Sequence, residues 1–488
     1  MRVRLGAALG VLAMLSACGG GGSSGGSVTG GAPTPTPVPG TTPTPTPTTS
    51  ATCSLRARQD WALAQLREWY LFPETLPSSL DPTPYTTVDA YIDALTATAR
   101  GQRRDRYFTY LTSIAEENAY YDSGATAGFG TRFALDSTGR RLLITESFEG
   151  APALAAGIDR GTEILQIGTS TGNLRSVSAI VDAEGVAGLN TALGPDTPGT
   201  ARVFQFRTIA GDTKTATVTK TDFSLLPVST RYGAKVLTDG TKKVGYINLR
   251  TFIDSAKTPL TNAFADFRAQ GITEFIIDFR YNGGGLINIA DLMGDLLGGG
   301  KSASQVYSYT SFRPEKASEN EVKYFAPTAQ SVTPTKIAFI GTGRTASASE
   351  LVINAFVPYL GTNMALIGTN TYGKPVGQIA LDRAACDDRL RVVALAVQNS
   401  ARSAAYFDGL AATVPNTCQA SDDIGYPLGD NREQSVARAL DFLAGRSCSR
   451  ISGSAGTSAQ NSRGQFDERT LLTPARPSTA QREVPGLF

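Results

Sequence analysis

Phe275-Ile276-Ile277-Asp278-Phe279-Arg280-Tyr281-Asn282-Gly283-Gly284-Gly285-Leu286 decides how the chain is read. Phe275 to Phe279 is the short apolar run of a strand buried on both faces, and Leu286 to Leu297 has the length and spacing of a helix. The glycines between them let backbone N–H groups face a ligand, although a bare tight turn satisfies the same pattern. Outward from this unit the order repeats. Val244–Leu249, Lys336–Ile340, Ala365–Ile367 and Val392–Val397 read as strands, and Glu350–Phe356 as a helix, which is the α/β order of a largely buried sheet.

The chain has 488 residues, 41% of them hydrophobic and 18% charged, enough for several globular parts with buried cores. Lys and Arg total 45 against 43 Asp and Glu, with no long basic run, so no nucleic-acid partner is expected. Histidine is absent. That excludes Ser-His and Cys-His catalysts, histidine-ligated metals and histidine-held haem, and no cofactor or metal is expected. Any catalysis has to run on Lys, Asp, Glu, Ser, Thr, Tyr or Cys.

Arg2 and Arg4, the apolar run Leu5 to Leu15 and then Ser16-Ala17-Cys18 read as an export signal, too short to span a bilayer. Leu15-Ser16-Ala17-Cys18 resembles a bacterial lipobox, which implies cleavage before Cys18, lipidation of Cys18 and a bilayer as partner. An ordinary secretory signal is the alternative. Gly19 in place of Asp implies the outer membrane, on its periplasmic side, in a Gram-negative envelope. Residues 18–52 follow as a Gly/Ser- and then Pro/Thr-rich tether whose seven prolines from Pro33 to Pro47 favour extended polyproline II.

The expected organisation beyond the signal (1–17) and tether is a helical cap at 53–124, a β-rich part at 125–221, an α/β part at 222–445 and a loosely ordered tail at 446–488. In the cap, Arg56–Leu71, Thr87–Ala97 and Asp105–Leu111 are predicted helices. In the β-rich part, Leu142–Ile144, Ile164–Ile167, Val203–Arg207 and Thr215–Thr219 are predicted strands. Gly128-Phe129-Gly130 before the first strand, with Glu149-Gly150-Ala151-Pro152-Ala153 opening a small helix, resembles a PDZ domain. That resemblance implies that Gly128, Phe129 and Gly130 offer N–H groups to a peptide C-terminus. A plain β-rich spacer is the alternative.

Two further stretches carry chemistry. Thr345-Ala346-Ser347-Ala348-Ser349-Glu350 lies between a strand and a helix, where a nucleophile gains from the helix dipole and free N–H groups. Alone it is a weak signal, because a Ser-rich turn before a helix is more often an N-cap. Thr371-Tyr372-Gly373-Lys374-Pro375-Val376-Gly377-Gln378 offers a lysine on a glycine turn, or simply a solvated charge. Pro375 and the missing glycine spacing exclude a phosphate loop. A β-lactam-binding Ser-x-x-Lys enzyme is excluded because neither Ser347 nor Ser349 has lysine three residues on.

Together, in this order, the three stretches resemble the C-terminal processing, or tail-specific, proteases across residues 55 to 445. The resemblance implies a multidomain α/β serine protease core, a Ser347 nucleophile, a Lys374 base oriented by Gln378, and an oxyanion hole from Ala348 and Gly284, with Gly283 as the alternative. Ser349 is the alternative nucleophile. Protein or peptide substrates would be held by their C-termini. A catalytically inactive, peptide-binding lipoprotein of the same fold is the competing class. With Cys18 assigned to lipid, Cys53, Cys386, Cys418 and Cys448 remain in an exported chain. The predicted pairs are Cys386–Cys418 and Cys53–Cys448, with four buried thiols as the alternative.

Overall fold

The computed structural model describes residues 51–452 and 469–488. The export signal, Cys18 and nearly all of the tether lie outside them. Among the described residues no helix is long and apolar enough to cross a membrane.

The α/β part is a six-stranded sheet in the spatial order Ala234–Asp239, Lys242–Asn248, Glu274–Asp278, Lys336–Gly341, Met364–Gly368, Asn416–Gln419. The first two strands form an antiparallel hairpin and every later neighbour is parallel. Both faces are covered, as the apolar runs require. Helices Lys257–Ala269, Ile287–Leu297 and Ala348–Leu360 bury Phe264, Met293 and Val352 with Phe275, Ile277 and Phe339 on one face. Helix Gln434–Leu443 places Val436, Ala439 and Leu440 against Ile276, Ala338 and Ile367 on the other. In such sheets ligands gather at the carboxyl ends of the strands. The three chemically marked stretches follow the carboxyl ends of three adjacent strands, Glu274–Asp278, Lys336–Gly341 and Met364–Gly368.

Val392–Val397 is not in that sheet. It belongs to Asp388–Gln398, the centre of a second, antiparallel sheet with Tyr110–Ser113, Val306–Phe312 and Val376–Arg383. An apolar run reports burial on both faces without saying which sheet provides it. Here Leu390, Val392 and Val393 are covered by Ala62, Leu66 and Ile92 of the cap.

Helix Leu55–Trp69 starts at Ser54, whose Oγ accepts from Ala57 N–H (3.3 Å), and Val88–Leu95 starts at Thr87, which accepts from Ala90 N–H (3.1 Å). The predicted helix at Asp105–Leu111 is absent. The buried Asp105 carboxylate instead accepts from Phe108 N–H (2.8 Å), Thr109 N–H (3.2 Å), Thr109 Oγ1 (2.6 Å) and Tyr70 OH (2.8 Å). Those bonds pull the backbone into a turn, and Tyr110–Ser113 continues as a strand.

In the β-rich part, Thr131–Leu135, Leu142–Ser147, Glu163–Gly168, Ala201–Arg207 and Thr213–Thr219 form one antiparallel sheet. Its core includes Phe129, Phe133, Ile164, Leu189 and Phe204. Residues 469–488 are not a loose tail. Thr470–Leu471 pairs with the edge strand Thr131–Leu135, Thr479–Glu483 is a short helix, and Leu471, Leu472, Ala480, Val484, Leu487 and Phe488 are buried. The Ser, Arg and Pro content around these apolar residues conceals them from a composition average.

The cysteine pairing also differs from expectation. The bridges are Cys53–Cys386, with Cα atoms 5.5 Å apart, and Cys418–Cys448, at 5.4 Å; Cys386–Cys418 and Cys53–Cys448 are not formed. Cys386 ends the turn Ala384–Cys386 beside Ala51–Cys53, whereas Cys418 lies in the outermost parallel strand, next to the segment that leaves helix Gln434–Leu443.

Candidate active site

The glycine turn is fixed from below by buried charge. Asp278 accepts from Tyr246 OH (2.8 Å) and from Arg280 (2.6 Å), and Arg280 also reaches Glu433 (2.8 Å) and Asp422 (3.2 Å). Burial alone would push the Arg280 pKa down; Asp278 and Glu433 outweigh it, so the pKa lies well above the usual value. From this anchor Asn282 reaches both ways. Its Nδ2 donates to Leu249 C=O (2.8 Å), and its own C=O accepts from Ala346 N–H (3.0 Å) and Ser349 Oγ (3.3 Å).

That arrangement sorts the two serines. Ser349 is fully buried and its hydroxyl is spent on Asn282, a packing role. Ser347 is partly exposed on the sharp turn that opens helix Ala348–Leu360. Its φ of 55° and ψ of −116° fall in a region that a non-glycine residue seldom occupies, strain of about 1–3 kcal/mol that the surroundings must hold. Gly284, φ +123°, lies against it. A Cβ there would sit 2.7 Å from the Ser347 Cβ, so only glycine permits the approach.

The two glycine N–H groups expected as oxyanion donors both have partners in the structure. Gly284 N–H is already given to Asn282 Oδ1 (2.9 Å). Gly283 N–H, the alternative donor, is given to Glu483 C=O (2.8 Å). Ala348 N–H has no partner among the described residues and stands at the helix N-terminus, where the dipole favours negative charge.

Lys374 follows the strand Met364–Gly368. Its Nζ donates to Gln378 Oε1 (2.9 Å) and lies 4.9 Å from the centre of the Phe108 ring, while Gln378 Nε2 donates to Phe108 C=O. Burial pushes the Lys374 pKa down, and Glu483 and Asp105 oppose that shift. No hydrogen bond joins Lys374 Nζ to Ser347 Oγ among the described residues. What connects the two turns is Glu350. Its Oε2 accepts from Ser347 N–H (3.1 Å) and Lys374 N–H (2.7 Å), and its Oε1 from Thr371 Oγ1 (2.6 Å) and Gly373 N–H (2.7 Å). Burial pushes the carboxyl pKa up, while these donors pull against it. Every contact donates, which is the arrangement that an ionised carboxylate fits.

Sequence reasoning quoted Glu350 within its motif and gave it no role. Asn282 likewise stands in its motif without a role, and for Asp422 and Glu433, far along the chain, no local pattern marks a partner.

A cavity of about 620 Å³ opens beside these groups, lined by Phe108, Gly283, Arg344, Ala346, Lys374 and Glu483 among others. Gly128-Phe129-Gly130 leads into the edge strand Thr131–Leu135. Gly130 N–H donates to Phe488 C=O (2.8 Å), and a Cβ at Gly128 would lie 2.6 Å from the Phe488 carbonyl carbon. Phe129 points inward, its ring edge-on to Phe204 with centroids 5.1 Å apart. Two residues of the expected peptide loop therefore face Phe488, and the third belongs to the core.

Residues 243–401 match the model of peptidase family S41. The carboxyl-terminal-processing protease of Picosynechococcus is 28% identical over 257 residues, 52% of this chain and 55% of its own. Carboxy-terminal processing protease CtpA of Bacillus subtilis is 27% identical over 279 residues, 57% of this chain and 53% of its own. The chain thus spans about half the length of the curated relatives it matches. A crystal structure of an S41 protease candidate from Bacteroides fragilis superposes with a TM-score of 0.61 at 22% identity, covering 79% of this chain and 97% of that one. That last likeness is one of fold.

Proposed function

We propose that this chain, a homologue of carboxyl-terminal processing proteases that carries the peptidase family S41 pattern over residues 243–401, is a serine endopeptidase working through Ser347 and Lys374. The supporting observation is that the Ser347 and Lys374 turns, from adjacent parallel strands, are joined by Glu350, with the glycine turn packed against Ser347, in a chain without histidine.

A lysine at its ordinary pKa of about 10.4 holds its proton at neutral pH and cannot act as base. Burial lowers that barrier for Lys374. Its neutral Nζ takes the Ser347 hydroxyl proton as Oγ bonds to the substrate carbonyl carbon. The carbonyl oxygen gains the negative charge and is held by Ala348 N–H and Gly283 N–H. The C–N bond then breaks, the Lys374 ammonium returns the proton to the leaving amine, and water releases the acyl group by the same route in reverse. Gln378 orients Nζ without adding a charge that would retain the proton.

Residues 125–221 take the PDZ-type role in this reading. A substrate's C-terminal segment adds a strand beside Thr131–Leu135, with Gly128 and Gly130 at its end. Lipidation of Cys18 holds the enzyme at the envelope membrane, facing the periplasm. Substrates are proteins or peptides cut near their C-termini.

A serine-reactive phosphonate on purified protein separates this reading from a peptide-binding protein without activity. Labelling at Ser347 with hydrolysis of an unstructured peptide is expected. Labelling absent at Ser347, with no hydrolysis, would favour the binding protein.

A further inference from the structure

The segment 469–488 touches both halves of the proposed enzyme. At the active centre, Glu483 C=O accepts from Gly283 N–H (2.8 Å), the position a substrate carbonyl would take. The Glu483 side chain is buried. Its Oε1 accepts from Tyr121 OH (3.2 Å), its Oε2 has no hydrogen-bond partner, and its charge opposes the effect of burial on Lys374.

At the peptide groove, Phe488 C=O accepts from Gly130 N–H (2.8 Å), Phe488 N–H donates to Thr131 C=O (3.1 Å), and Gly486 C=O accepts from Phe133 N–H (2.9 Å). With the isolated antiparallel bridge of Leu487 to Arg132, these bonds pair the segment to the strand Thr131–Leu135 in the manner of an added peptide. The Phe488 ring is buried, edge-on to Phe133 with centroids 5.8 Å apart. Arg132 joins the two places, donating to Pro485 C=O (2.8 Å) and to Tyr281 C=O (3.0 Å), one residue before Asn282.

The backbone between these contacts has the wrong form for cleavage. Thr479–Glu483 is helical, and Val484 N–H closes on Ala480 C=O (2.8 Å). A carbonyl at the end of a helical turn meets Gly283 without presenting an extended peptide bond to Ser347. The segment fills the site in a form that resists being cut.

We propose that residues 479–488 are a ligand of the chain's own site, occupying the groove through Leu487-Phe488 and the Gly283 donor through Glu483, and that substrates gain entry by displacing them with a segment that seats a large apolar residue where Phe488 sits. This rests on the peptidase reading of the site. The preference for a large apolar residue follows from the enclosed ring of Phe488, since an aromatic side chain there buries about 150–250 Å².

The test uses the Ser347→Ala background, so that binding is read without cleavage. A fluorescent peptide of residues 479–488 is titrated by anisotropy into the full chain and into a chain cut back to Ser478. Tight binding to the shortened chain, at least tenfold weaker binding to the full chain, and at least tenfold weaker binding of the Phe488→Ala peptide are expected. Equal affinity for both chains, or no loss with Phe488→Ala, would overturn the proposal. If the shortened chain does not fold, the full chain carrying Phe488→Ala serves, and it should bind the wild-type peptide at least tenfold more tightly than the unaltered full chain does; equal affinity would again overturn it. In the active background, the full chain with Phe488→Ala should hydrolyse an unstructured peptide several-fold faster. Absence of hydrolysis in every variant, with the binding pattern intact, would overturn the peptidase reading and leave the self-ligand standing.

Discussion

Ser347 and Lys374 donate their backbone N–H groups to one and the same oxygen, Oε2 of Glu350, at 3.1 and 2.7 Å. The turns of the proposed nucleophile and the proposed base are therefore tied together by a single buried carboxylate, which belongs to the helix that Ser347 opens. An amide cannot serve as well. Glu350→Gln would turn NH₂ hydrogens toward N–H donors whichever way it flips. Each buried N–H left without its acceptor costs about 1–3 kcal/mol. A fall in peptide hydrolysis of about 100-fold with a lowered melting temperature is expected, and wild-type kinetics in Glu350→Gln would contradict the role.

Lys374 must be neutral to accept a proton, so the rate of a base-limited step rises with pH as the ammonium deprotonates. Because burial pushes its pKa down, the rise should centre below the ordinary lysine value of about 10.4. A pH profile of kcat/KM checks this. Lys374→Arg should be inactive throughout, since a guanidinium keeps its proton at any workable pH. A rate that falls on going from pH 6 to 9, or an active Lys374→Arg, would contradict the assignment.

The charge network below the glycine turn supports the site mechanically. Arg280→Ala would leave Asp278 and Glu433 buried with their guanidinium partner gone, which costs about 3–5 kcal/mol. Denaturant unfolding of the whole chain should show that loss. A change below about 1 kcal/mol would indicate that the pocket admits water freely.

Cys53–Cys386 ties the helical cap to the sheet it covers, across a sequence separation of 333 residues. Non-reducing peptide mapping should recover Cys53 with Cys386 and Cys418 with Cys448. Recovery of a Cys386–Cys418 peptide would overturn the observed pairing.

The three turns of the candidate site are legible in the sequence because their information is local. An apolar strand followed by Gly283-Gly284-Gly285, or by a run of small residues around Ser347, marks both a strand end and a turn able to approach a ligand. The same reading gave the β strands of residues 125–221 and the two capped helices. What it missed is set by contacts distant in sequence. The carboxylate of Asp105 overrode a helical pattern by drawing in Phe108 and Thr109 N–H, together with Tyr70 from another element. The partners of the glycine N–H groups also lie beyond a local pattern: the Asn282 side chain takes Gly284 N–H, and Glu483 C=O takes that of Gly283. Cysteine partners follow from which segments lie side by side. The apolar residues of 471–488 are scattered among Pro, Arg and Ser, and their partners are distant in sequence: Leu472 and Phe488 pack with Phe129 and Phe133, and Ala480, Val484 and Leu487 with Tyr120, Phe148 and Ile253.

The central claim is that Ser347, not Ser349, carries the reaction. Peptide hydrolysis by Ser347→Ala and Ser349→Ala, each compared with wild type alongside phosphonate labelling mapped by mass spectrometry, tests it most directly. Ser347→Ala should lose both hydrolysis and label while remaining folded, and Ser349→Ala should keep the label at Ser347. Hydrolysis at the wild-type rate by Ser347→Ala, or a label that maps to Ser349, would contradict the account.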